Sequence, residues 1–142
     1  MAIYSLANRT SATGSAAACL EVRTTSTDRA RIMEVGITIN AATASVFGLG
    51  RPAAIGVTPT TPVTVLAEEP AEAAGTCTTA LAWGTGPTVP TNFFRRVSLP
   101  ATVGAGIVWT FPRGLIISIS SSIVVWNITT VSVADIWVVV DE

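Results

Sequence analysis

The side chains best suited to acid–base chemistry are three glutamates in one short segment. Glu68, Glu69 and Glu72 lie in an alanine- and proline-containing stretch, residues 67–76. Glycoside hydrolysis uses two carboxyl groups that face each other across a cleft, one as the acid and the other as the base or nucleophile. Neighbouring residues of one loop are poorly placed for that geometry. The spacing therefore favours an exposed acidic loop, with a hydrolase as the alternative.

The chain lacks the residue types on which most other catalytic sites depend. It contains no histidine and no lysine. It therefore cannot supply a Ser-His-Asp triad, a Cys-His pair, a Schiff-base lysine or a P-loop lysine. Cys19 and Cys77 could provide only half of a tetrahedral zinc shell, and no imidazole could complete it. We expect a protein that is not an enzyme and that has no cofactor and no metal.

Cys19 and Cys77 are also too few for a disulfide-rich secreted scaffold. Residues 1–20 have neither the basic start nor the continuous apolar stretch of a secretory signal. We therefore expect two reduced, partly buried thiols. A single bridge between the two cysteines is the alternative.

Arginines stand beside aromatic rings in the segment Phe93-Phe94-Arg95-Arg96. This combination can bind single-stranded nucleic acid. In a strand, however, Phe93 and Arg95 share one face while Phe94 and Arg96 share the other, so no continuous stacking platform forms. The net charge of −1 attracts neither nucleic acid nor an anionic membrane, and no apolar run approaches the roughly 20 residues that span a bilayer. We expect neither partner, and interpret the segment as a strand that ends at a subunit contact.

Apolar residues recur at every second position, which is the period of β-strands. Residues 33–40 are the clearest case, with four apolar side chains on one face: Met33, Val35, Ile37 and Ile39. Turn signals such as GLGRP at residues 48–52 separate the segments, and no apolar stripe is long enough for a helix. We predict a single all-β domain over residues 19–142, a compact antiparallel β-sandwich or jelly-roll-like barrel of about eight short strands.

Residues 1–18 differ in composition from the rest of the chain. Ile3, Tyr4 and Leu6 are apolar, Arg9 is charged, and a run of Ser, Thr, Ala and Gly follows. Such a segment buries too little apolar surface to order itself. We predict an N-terminal arm that docks on a neighbouring chain, with Tyr4 and Leu6 as anchors and Arg9 paired with an acidic residue there. The alternative is a first strand in the domain's own sheet.

Two C-terminal segments, residues 123–128 and 136–140, are apolar on both strand faces. One face of an antiparallel sheet normally meets water, and no amphipathic helix is present to cover the other. We expect another copy of the chain or a different protein to cover it; the alternative is that central strands tolerate Val and Ile outside. Charged residues make up 12% of the chain, about half the roughly 25% of soluble domains. A surface with so few charged residues is typical of a protein that is part of a larger assembly.

Tryptophan and arginine are enriched at protein interfaces. The four tryptophans are expected mostly in the core, with one or two at the rim of an interface. The candidate interface residues are Ile3, Tyr4, Leu6, Arg9, Phe93, Arg95, Arg96, Trp109, Arg113, Trp126 and Trp137.

A set of motifs spread over nearly the whole chain resembles small virion proteins of tailed bacteriophages. The motifs are RIMEVGI at residues 31–37, GLGRP at 48–52, PTVP at 87–90 with FRR at 94–96, VWTFPRGL at 108–115, VWNI at 125–128 and DIWVVVDE at 135–142. In size and composition the chain is also similar to capsid decoration proteins, which in several phages are trimeric, jelly-roll-like β proteins that cement the expanded shell.

The resemblance implies a decoration or cement protein that binds major capsid subunits as a homotrimer and stabilises the head. It also implies a place on the capsid surface of the virion, after assembly in the host bacterial cytoplasm. The alternative is a tail or head-fibre component that binds a host receptor or a glycan.

Overall fold

The computed structural model describes residues 2–10, 17–129 and 133–142. No helix in these ranges is long and apolar enough to cross a membrane. The described chain forms the strands β1 (Ile3–Arg9), β2 (Ala17–Arg23), β3 (Ala30–Ile39), β4 (Ser45–Gly50), β5 (Val57–Pro59), β6 (Pro62–Val63), β7 (Leu66–Ala67), β8 (Thr78–Ala80), β9 (Trp83–Thr85), β10 (Arg95–Leu99), β11 (Gly106–Ile117), β12 (Ser122–Asn127) and β13 (Ala134–Asp141).

The strands pair antiparallel in two main sheets that pack together. One has five strands in the order β11-β3-β13-β1-β7, and the other has six in the order β10-β4-β12-β2-β8-β6; β5 and β9 form a separate small sheet. The predicted all-β, sandwich-like fold is confirmed. The prediction of about eight short strands is wrong: the described residues form thirteen strands, and the two longest, β3 and β11, have 10 and 12 residues.

Apolar side chains at alternate strand positions fill the core between the two sheets. Val35, Ile37 and Ile39 of β3 are fully buried, as the pattern predicts. Met33 departs from it, because the register between β3 and β13 shifts there: Glu34 pairs with Val139, but Ile32 pairs with Val140. Ile32 is therefore the buried residue, at 1% exposure.

The predicted N-terminal arm is, over its described first part, a strand of the domain itself. All of β1 pairs with β13, and Tyr4 and Ser5 also pair with β7. Tyr4 and Leu6 point into the core at 4% and 3% exposure. The prediction of a docking arm is wrong here, because alternation along β1 gives it a buried face and β13 satisfies its backbone. Residues 11–16 of the predicted arm lie outside the described residues.

The second apolar face of β12 is covered by the chain's own loops. Two segments between β4 and β10, residues 51–61 and 82–94, run antiparallel and share backbone hydrogen bonds such as Ala53 N–H to the Thr88 carbonyl, 2.9 Å. We call these two segments the cover. All six residues of β12 are buried beneath it and the opposite sheet. The prediction that another chain must cover β12 is therefore wrong.

Candidate interaction surfaces

The three glutamates of the predicted acidic loop are exposed, and together with Ala2 and Ile3 they line one shallow concavity of about 440 Å³. Glu72 N–H bonds to the Glu69 carbonyl at 3.0 Å in a turn, and Glu68 accepts a hydrogen bond from the Ser5 hydroxyl. Among the described residues, no three His, Cys, Asp or Glu side chains are grouped so that they could hold a metal ion. The exposed loop predicted for residues 67–76 is present, although Ala67 belongs to β7.

Cys19 and Cys77 are buried, and no disulfide joins them. The Cys77 N–H and the Thr76 N–H and hydroxyl all donate to the Glu142 carboxylate, the hydroxyl at 2.6 Å. Burial, together with the nearby Glu142 charge, raises the pKa of the Cys77 thiol to about 12. This thiol is thus a packing group and not an activated nucleophile.

A buried carboxylate holds the cover in place. Glu21 of β2 is 1% exposed. It accepts hydrogen bonds from the Trp83 indole N–H at 2.9 Å, from Arg23 at 2.9 Å and from the Gly56 N–H at 3.4 Å. Because Trp83 and Gly56 belong to different segments of the cover, this one side chain ties both to the sheet. The sequence carries no signal for it, since Glu21 between Leu20 and Val22 has the pattern of a solvent-facing strand residue.

The outward side of the five-stranded sheet leaves Ile3, Ala7 and Val108 exposed, and we call it the open face. At its centre Trp137 is half-buried, flanked by Val108 and Ala7 in the same cross-strand row. The ring lies flat on Gly36: a Cβ there would come within 1.9 Å of the ring atoms. The Trp137 indole N–H donates to Glu34 at 2.8 Å. Glycine and glutamate together fix the tryptophan on the sheet.

A second surface lies where the edge strands β10 and β11 meet. Arg95 stacks over the Phe111 ring at 5.3 Å, and Arg51 stacks over Phe94 at 5.0 Å. Arg51 also donates to the Ile116 carbonyl at 2.7 Å. A shallow, largely apolar concavity of about 370 Å³ opens beside them, lined by Phe111, Pro112, Arg113 and Gly114.

The structure separates the predicted interface residues into buried and exposed groups. Four of them are buried: Tyr4, Leu6, Trp109 and Trp126 are at most 8% exposed. A fifth, Arg9, forms an ion pair with Asp135 of its own chain at 2.8 Å. Phe93 belongs to the cover itself and packs against the sheet, close to Gly48. The accessible candidates are Ile3, Arg95, Arg96 and Arg113, with Trp137 half-exposed.

For Tyr4, Leu6 and Trp109 the interface prediction is wrong, because strand alternation turns these side chains into the core. For Trp126 it is wrong because the cover buries the outer face of β12. For Arg9 the predicted partner chain is replaced by Asp135, which lies opposite it in the β1–β13 register. The open-face residues that sequence reasoning missed are Gly36 and Val108. Their proximity depends on which strands become neighbours, and periodicity does not contain that information. No known protein family, curated protein or solved structure matches this chain.

Proposed function

We propose that this protein is a non-catalytic structural protein of a tailed-phage virion. In this role it decorates the capsid as a homotrimer, binds major capsid subunits and stabilises the head. The proposal combines the resemblance of the sequence motifs with one structural observation, the open face. It requires no catalytic residue, cofactor or metal.

The open face has the features of a protein-binding surface. Its centre is a tryptophan held in one position by Gly36 and Glu34, so little conformational freedom is lost on binding. Val108, 47% exposed, and Ile3, 37% exposed, add apolar area around it. Charged groups such as the Arg9–Asp135 pair lie at one end of the same face. An apolar centre with charges at the margin is the usual anatomy of an interface.

The alternative, a tail or head-fibre protein that binds a glycan, would call for exposed aromatic rings near loop tips. Every described aromatic side chain is instead buried or half-buried, and Trp137 lies in the middle of a sheet. This observation favours a flat protein partner over a glycan.

Electron microscopy of the phage particle that carries the chain tests the proposal directly. We expect density for the sandwich on the capsid lattice, with the open face against major capsid subunits. Density on the tail, or on the capsid with the open face towards solvent, would contradict it.

A matched pair of variants tests the surface itself. Val108→Glu places a charge on the open face, whereas Ile119→Glu places the same charge at the β11–β12 turn; the native residues are 47% and 46% exposed. We expect Val108→Glu to weaken binding to undecorated capsids at least tenfold and Ile119→Glu to bind like the wild type. Equal binding by both variants would exclude the open face as the contact.

A further inference from the structure

Charged residues between positions 52 and 134 fall into two groups of opposite sign. The first is Glu68, Glu69 and Glu72, and the second is Arg95, Arg96 and Arg113. No acidic residue occurs in β10 or β11, and no arginine occurs between Pro52 and Phe94. The two groups are therefore separate in sequence.

The fold places these groups on opposite sides of the sandwich. The arginines lie on β10, an edge strand of the six-stranded sheet, and on β11, an edge strand of the five-stranded sheet. The two edge strands are in contact, since Arg95 of β10 stacks on Phe111 of β11. The glutamates follow β7, the other edge of the five-stranded sheet. We call these regions the arginine edge and the glutamate edge.

Among the described residues, neither edge forms an ion pair within the chain. The ion pairs among the described residues are Arg9–Asp135 and Arg23–Glu21, and neither involves an edge residue. Arg95 and Arg113, like Glu69 and Glu72, are exposed to solvent. Each edge therefore carries charge that a surface of opposite sign could neutralise.

Each edge also carries a matching apolar shape. Leu66 of β7, beside the glutamates, is the most exposed large apolar side chain of the described residues, at 68%. The arginine edge holds the concavity of about 370 Å³ lined by Phe111, Pro112, Arg113 and Gly114. A projecting leucine with acidic neighbours and an apolar hollow with basic neighbours are complementary surfaces.

We propose that the glutamate edge of one copy binds the arginine edge of the next, with Leu66 seated in the Phe111–Gly114 hollow between the two sets of charges. Such a head-to-tail contact uses two different surfaces and closes into a ring when the rotation between copies permits. It rests on the self-association included in the proposed function and specifies its surfaces. The contact is made by side chains, because the register shift between Thr110 and Leu115, with Pro112 and a positive φ at Gly114, interrupts the edge of β11.

Charge reversal in the full-length protein tests the contact, with native mass spectrometry and sedimentation at micromolar concentration as the readouts. We expect an oligomer for the wild type and monomers for Glu69→Arg/Glu72→Arg and for Arg95→Glu/Arg113→Glu. Ala42→Lys/Ala44→Lys changes exposed positions away from both edges and should remain oligomeric. It controls for added positive charge elsewhere on the surface.

Mixing the two reversed variants provides the rescue. Each variant has two edges of like sign, so the arginine-rich variant should bind the glutamate-rich one, and a 1:1 mixture should form hetero-oligomers. A variant that is monomeric through misfolding cannot be rescued in this way. A wild type that is monomeric, reversed variants that keep the wild-type mass, or a mixture that stays monomeric would each overturn the inference.

Leu66→Ser tests the apolar part of the contact against Val103→Ser, whose native side chain is 62% exposed on the β10–β11 loop. We expect dissociation to rise at least tenfold for Leu66→Ser alone; equal behaviour of the two variants would overturn the seating of Leu66. These measurements use the isolated protein, whereas the proposed function is tested on capsids. An oligomer insensitive to both edges would refute this inference and leave capsid binding to be decided by Val108→Glu.

Discussion

At the scale of single residues, the side chains that could take part in acid–base chemistry have structural roles. Glu21 anchors loops, Glu142 accepts hydrogen bonds from Thr76 and Cys77, and Glu34 orients Trp137. Glycine matters most at Gly36, where any Cβ would displace the Trp137 ring. These residues determine how the surfaces are shaped.

Cys77 supplies a prediction about alkaline pH. Its pKa is about 12 in the folded protein, against an ordinary 9.0, so the unfolded thiol ionises first as the pH rises. Stability from this group is fully present below about pH 9 and is lost progressively towards pH 12. Between pH 8 and pH 10 we expect the wild type to lose about 1 kcal/mol more unfolding free energy than Cys77→Ala.

Urea denaturation at the two pH values measures this difference. The comparison of wild type with Cys77→Ala cancels other groups that titrate in the same range. Parallel losses in the two proteins would show that the thiol does not contribute.

At the scale of elements, β1 is part of the core and not an appendage. Leu6 is 3% exposed and Ile3 is 37% exposed on the same strand. We expect Leu6→Ala to lower the free energy of unfolding by about 2–5 kcal/mol, because it leaves a cavity between the sheets. Ile3→Ala is the control and should cost less than about 1 kcal/mol. Denaturant unfolding decides, and a small effect of Leu6→Ala would restore the hypothesis of a docking arm.

The cover depends on Glu21 in a way that a variant can reveal. Glu21→Ala leaves the Arg23 guanidinium and the Trp83 N–H without their shared acceptor, and we expect a loss of about 3 kcal/mol. Hydrogen exchange should accelerate in residues 53–60 and 83–88, which the carboxylate ties down. Glu34→Ala, which removes one hydrogen bond on the open face, should cost about 1 kcal/mol and leave exchange in the cover unchanged. Equal exchange in the two variants would contradict the role of Glu21.

At the scale of the whole molecule, the two sheets, the cover and the two charged edges give the protein distinct sides. The cover packs on the outer side of the six-stranded sheet over β2, β4 and β12, and the outer side of the five-stranded sheet remains open. The proposed capsid contact uses that open side, and the proposed contact between copies uses the edges.

The sequence by itself determined the fold class and the classes of catalytic site that the chain cannot form. Period-two patterning in segments such as residues 33–40 is local, so it predicts strands without any knowledge of their neighbours. The absence of histidine and lysine excludes whole classes of site for the same reason: it requires only the list of residues. The exposed acidic loop and the burial of the two cysteines were also expected from local composition.

Tertiary structure alone decided which surfaces are available. Residues 123–128 are apolar on both strand faces. This pattern predicts that both faces are buried, but it does not tell whether a neighbouring chain or the chain's own loops bury the second face. Tyr4 and Leu6 became core residues only when β1 paired with β13, which lies at the other end of the sequence. Trp137, Gly36 and Val108 likewise form one row only through long-range register. Strand neighbours are chosen by contacts distant in sequence, and a period of two carries no information about them.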